Sequence, residues 1–188
     1  MKAFLPLAAS LMLASHAVPV SAADAQVSAD SSPERDATRE QVRSTIADAG
    51  GRSDVSVVFR QSTKNPYNFT GNMTTGLVNC ESLEIVVSVT PNQTIGIRVY
   101  PHYKGGYINL GRAGDASGLT AKLLSYNDRN FLFWGADNTK DVFSGYTFTL
   151  ESGFPSEAFV TVMRSIRNTD KFVGELRPFI DVAAAPTK

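Results

Sequence analysis

The sequence predicts an α+β fold: an antiparallel sheet with three helices packed on it, in the order α-β-β-β(β)-α-β-β-α. Three observations lead there. Period-two apolar rows, the mark of half-buried strands, recur through the middle of the chain. Patterns of helical period are confined to three short stretches. The strands come in consecutive runs rather than alternating with helices, which favours an antiparallel sheet over a parallel one.

The N-terminus reads as an export signal. Met1-Lys2 is a short positive start, Ala3 to Val18 is mostly apolar, and Val20-Ser21-Ala22 offers small residues for cleavage before Ala23, or after Ala25. A positive start, an apolar stretch and a small-residue site form a secretory signal peptide. The apolar run is shorter than the roughly 20 residues that a membrane-spanning helix needs. Residues 1–22 are therefore expected to be the signal, 23–35 a flexible leader, 36–181 a single α+β domain and 182–188 a flexible tail. The expected location is periplasmic or secreted, in a bacterium, with no membrane insertion after cleavage.

The first helix is expected from Asp36 or Thr38, where Thr38 and Gln41 have capping-box spacing and Val42, Ile46 and Ala49 recur at helical intervals. Gly50-Gly51 would supply a left-handed stop. Strands follow at Val55–Phe59, at Tyr67–Met73, at Leu83–Val89 and at Ile95–Val99, the last two joined as a hairpin by Pro91-Asn92. Lys104-Gly105-Gly106 turns the chain again, so Ile95–Leu110 reads as an extra hairpin. Ser117 announces a second helix through Leu119, Leu123 and Tyr126, ended by Asn127-Asp128. Phe131–Trp134 and Phe143–Leu150 are the next strands. Pro155 and Glu157 open the last helix, whose stripe runs through Phe159, Val162, Met163 and Ile166 toward Pro178.

Composition narrows the function. The full chain has formal charge 0, and loss of Lys2 with the signal leaves −1, with no basic stripe to suggest nucleic acid or an anionic membrane. After signal cleavage one histidine, His102, and one cysteine, Cys80, remain, too few for a structural zinc site and without an internal disulfide partner. Asp137, Asn138 and Asp141 form a polar turn without the closing Glu of a calcium loop. No cofactor, no metal and no catalytic residue is expected; a Cys80–His102 pair is the one nucleophilic arrangement available, and a hydrolase built on it the minor alternative.

Leu124-Ser125-Tyr126-Asn127-Asp128-Arg129, the strand around Phe131–Phe133, Tyr146-Thr147-Phe148-Thr149-Leu150-Glu151-Ser152-Gly153-Phe154, and Cys80-Glu81-Ser82-Leu83-Glu84-Ile85 together resemble the YbjN family of small bacterial proteins, whose fold is shared with type III secretion chaperones. The resemblance implies a non-enzymatic, regulatory or protein-binding module and transfers no catalytic residue. The expected role is thus an exported protein-binding or regulatory module of the bacterial envelope, with a periplasmic immunity or inhibitor protein as alternative. The expected partner is a protein, a second copy of the chain among the alternatives. Trp134, Tyr103 and Tyr107, aromatic and near turns, are the candidate interface residues, with Phe131 and Phe133 expected in the core.

Overall fold

The computed structural model describes residues 31–92 and 94–181. The expected signal 1–22, leader residues 23–30 and the tail 182–188 lie outside the described residues. The described residues from Ser32 to Asp181 belong to one compact unit.

Helix α1, Pro33–Gly51, begins three residues before the expected start and takes in the end of the presumed leader. Its cap is Ser32, whose hydroxyl accepts the Arg35 N–H at 3.1 Å, with Pro33 in the first turn and Glu34 and Asp36 facing the positive end of the dipole. Thr38 is instead a buried residue of the helix middle. The stripe was hidden because one of its members is charged. Arg35 is buried, donates to the Val89 carbonyl at 2.8 and 3.2 Å, and lies 3.6 Å from the Tyr67 ring centroid. At the other end neither Gly50 nor Gly51 is left-handed. Gly50 is needed for close approach: a Cβ there would stand 2.2 Å from the Val57 carbonyl oxygen.

That approach also accounts for the strand expected at Val55–Phe59. Ser56 N–H and Val57 N–H bond back to Arg52 and Gly50 carbonyls, and Ser56 is left-handed at φ 52. Only β1, Arg60–Gln61, pairs with the sheet, although Val55 and Val57 are buried as their parity requires. The remaining strands are β2 (Asn68–Met73), β3 (Ser82–Val89), β4 (Ile95–Tyr103), β5 (Gly106–Tyr107), β6 (Phe133–Ala136) and β7 (Val142–Phe148). They form a seven-stranded antiparallel sheet in the order β1-β2-β3-β4-β7-β6, with β5 paired to the end of β4. The presumed extra hairpin is therefore the long central strand β4 and a short return.

Helix α2, Ala116–Arg129, is capped by Asp115 rather than Ser117, its carboxylate accepting the Gly118 N–H at 2.8 Å. The expected single last helix is two. α3, Ser156–Ser165, and α4, Asn168–Ile180, are separated at Ile166-Arg167, so four helices rather than three lie among the described residues. The break falls just before Asn168-Thr169-Asp170, residue types that form helix poorly because their side chains compete for backbone groups. Thr169 and Asp170 are both buried there and bonded to other elements, Thr169 to Ser144 at 2.9 Å. Helix α4 runs on through Pro178. The carbonyls of Phe179 and Ile180 accept N–H groups from Asp115 and Gly114, which satisfies the helix end and docks it on the start of α2.

The helices cover one face of the sheet. Leu83, Ile85, Val87 and Val89 of β3 and Ile95, Ile97 and Val99 of β4 are at most 1% exposed, packed with Val42, Ile46, Phe159 and Met163. A second cluster joins Leu119, Leu123, Tyr126 and Trp134 to Val173 and Leu176. Each such side chain contributes roughly 1.5–3 kcal/mol on leaving water. No described helix is long and apolar enough to cross a membrane.

Candidate functional site

Because strand side chains alternate, the opposite face of the same sheet has its own pattern. The register aligns it in rows. One row runs Asn68, Ser88, Gly96 and Thr147 across β2, β3, β4 and β7. The next runs Thr70, Val86, Arg98, Gly145 and Phe133, and a third runs Asn72, Glu84 and Tyr100. His102 and Tyr107 follow as a pair at the end of β4.

Aromatic rings form a continuous line over this face. Phe133 meets Phe143 edge-on at 5.8 Å, Phe143 meets Tyr100 at 5.7 Å, Tyr100 meets Tyr107 at 5.8 Å, and Tyr107 meets His102 at 4.4 Å. The Arg98 guanidinium sits 4.6 Å from the Phe143 centroid, a cation over a π face. Phe133 remains 40% exposed. The line ends in a polar cluster: the Tyr107 hydroxyl donates to Glu84 at 2.6 Å, and the His102 Nε2 atom stands 3.5 Å from the same carboxylate. The bond to Glu84, with burial second, pushes the Tyr107 hydroxyl up to about 12. It is held as a proton donor at neutral pH.

Beside this line the small row leaves a groove of about 480 Å³, bordered by Tyr100, Phe133 and Arg98 on one side and by Thr90 and Thr94 on the other. Its floor is Gly96, where an added Cβ would meet nothing within 4 Å.

The sequence candidates divide. Tyr107 belongs to the aromatic line. Tyr103 does not: it shares the parity of Ile97 and Val99 and packs against the helix-side cluster, its hydroxyl donating to Asp181 at 2.7 Å while Lys104 bonds the same carboxylate. Trp134 is corrected: it is 3% exposed on the helix side of β6, packed against Tyr126 and Phe172. Parity puts Phe133, not Trp134, on the open face, and Phe131 is 55% exposed, so both expected core phenylalanines are surface residues. Tyr100, Arg98, Phe143 and Gly96 were missed. For Gly96, Arg98 and Tyr100 the signal was present in the alternation of β4, which marks Ile95, Ile97 and Val99 as core and every second residue between them as the other face.

Cys80 and His102 do not come together chemically. The Cys80 thiol donates to buried Asp170 at 3.2 Å, packed against the helix-side clusters, whereas the His102 ring lies with Tyr107 and Glu84 on the open face. Burial, and after it the bond to Asp170, pushes the Cys80 thiol up to about 12, so it is not poised as a nucleophile. Asp170 in turn accepts the backbone N–H groups of Val78, Asn79 and Cys80 at 2.8–3.0 Å. Among the described residues no cluster of three or more His, Cys, Asp or Glu is arranged to hold a metal ion.

No family model matches the chain. No curated protein matches it. Among solved structures it is similar to the crystal structure of YbjN from E. coli, at 12% identity and a TM-score of 0.48, over 74% of this chain and 90% of that one. The likeness is one of fold and not of sequence.

Proposed function

We propose that the chain is an exported, non-enzymatic recognition module of the bacterial envelope, and that the open face of its sheet is the recognition surface. The reading of residues 1–22 as a signal peptide supports export to the periplasm or beyond. The observation that carries the recognition role is the line Phe133–Phe143–Tyr100–Tyr107–His102, laid in register over a face that the described helices leave uncovered. Solvated sheet faces are ordinarily polar. A row of rings with a cation seated on it has the composition of a binding surface, in which aromatics and Arg dominate the energetics.

Cell fractionation with N-terminal sequencing, followed by capture from an envelope extract, tests both halves. The protein is expected in the periplasm or medium with a new N-terminus near Ala23. Capture by the immobilised protein is expected to be lost in a Tyr100→Ala, Phe133→Ala double variant that still folds. Retention in the cytoplasm with Met1 intact would remove export, and capture indifferent to both substitutions would remove the surface.

A further inference from the structure

We infer that the groove over Gly96 is a binding site for a neutral oligosaccharide of flat, gluco-configured pyranose rings. This rests on the reading of the open sheet face as a recognition surface and names what that face takes.

The groove is chemically specific. Among the described residues the side chains of Asn68, Ser88 and Thr147 have no hydrogen-bond partner, and all three stand in one register row around Gly96. They present neutral donors and acceptors in the spacing of adjacent strands, about 4.8 Å. Tyr100 and Phe133 wall the same space with ring surface. A pyranose with equatorial hydroxyls has the complementary division: its rim donates and accepts, and its face of axial C–H bonds carries partial positive charge that suits the negative face of an aromatic ring. The volume, about 480 Å³, lies within the range of small-ligand sites, roughly 300–1,000 Å³.

Other ligand classes fit less well. Arg98 is the one ionised side chain lining the groove. A nucleic-acid strand is held by several phosphate-neutralising cations, whereas this groove is lined by Arg98 alone. An added peptide strand pairs with a free sheet edge, whereas the groove lies on the face of β3, β4 and β7, all paired on both sides. An amphipathic helix needs a continuous apolar groove, and here the row Asn68, Ser88 and Thr147 interrupts it with polar side chains.

The test is an NMR titration of the purified protein with cellotriose, tri-N-acetylchitotriose and maltotriose, repeated on Gly96→Val and Tyr100→Ala. Valine fits a half-buried central-strand position, and its Cβ meets nothing, so Gly96→Val fills the groove without disturbing the core. A β-linked trimer is expected to shift resonances of Ser88, Gly96 and Thr147, with affinity falling at least about tenfold in each variant, or 1.4 kcal/mol, while the thermal midpoint of Gly96→Val is not lowered. No binding by any trimer, or binding that Gly96→Val leaves unchanged, would overturn the assignment. If trimers fail yet both substitutions abolish capture of an envelope protein, the face is a recognition surface and only its ligand class is wrong. If neither sugars nor capture respond, the reading beneath it fails as well.

Discussion

Asn127 closes the outer edge of β6 by bonding both backbone groups of Trp134: its Oδ1 accepts the Trp134 N–H at 2.6 Å and its Nδ2 donates to the Trp134 carbonyl at 3.3 Å. A side-chain amide here does what a neighbouring strand would do. Edge strands otherwise present unpaired groups that template pairing with another chain.

Asn127→Ala should therefore have two effects. Stripping partners from the backbone of a buried residue is expected to cost about 1–3 kcal/mol, read as a lower midpoint in chemical unfolding. The freed edge should also raise the tendency to self-associate, visible by light scattering at increasing concentration. A variant that stays monodisperse and as stable as the parent would show that the edge is protected in another way.

Asp170 fixes the loop at Val78–Cys80 to helix α4. Burial works against its charged form, yet the donors from Val78, Asn79 and Cys80 outweigh it and hold the carboxyl below its ordinary range. The sign follows from that direction. A carboxyl whose folded value lies below the unfolded one, about 3.9, contributes stability that is fully present above pH 3.9 and is lost as pH falls through the folded value. Asp170→Asn should lower stability at neutral pH, by about 1–3 kcal/mol for unmet buried donors, and should flatten the acid limb of the stability profile below about pH 4. Denaturant titrations between acidic and neutral pH check both.

The thiol of Cys80 should be nearly inert in the folded protein. A value of about 12 against 9.0 for an unperturbed cysteine leaves about a thousandfold less thiolate near neutral pH. Alkylation by iodoacetamide is expected to be slow without denaturant and fast in urea. Cys80→Ser, which keeps a donor toward Asp170, should fold and retain binding. Rapid native labelling would place the thiol in a different environment.

The sheet was more legible in the sequence than the site. The rows Leu83–Val89 and Ile95–Val99 have strict alternation, and burial on one face is enough to produce it. The helix starts were less legible: Ser32-Pro33 lay in a polar stretch, and the buried stripe behind it opened with Arg35, a charge that only long-range partners in β3 and Tyr67 can explain. The division of the last helix depended on Asp170 reaching a loop some 90 residues away in sequence, which no local pattern encodes. At the site the difficulty was parity. Phe133 and Trp134 are adjacent and equally aromatic, and which one faces outward is set by pairing with Ser144 and Gly145 of β7.

The most direct measurement is hydroxyl-radical footprinting of the protein in buffer and in envelope extract, with side-chain labelling quantified by mass spectrometry. Loss of labelling at Tyr100, Tyr107 and Phe133, with Phe131 and Leu124 on the helix side unchanged, is the predicted result. Protection at Phe131 and Leu124 with the three open-face rings still fully labelled would contradict the proposal that the open face is a recognition surface.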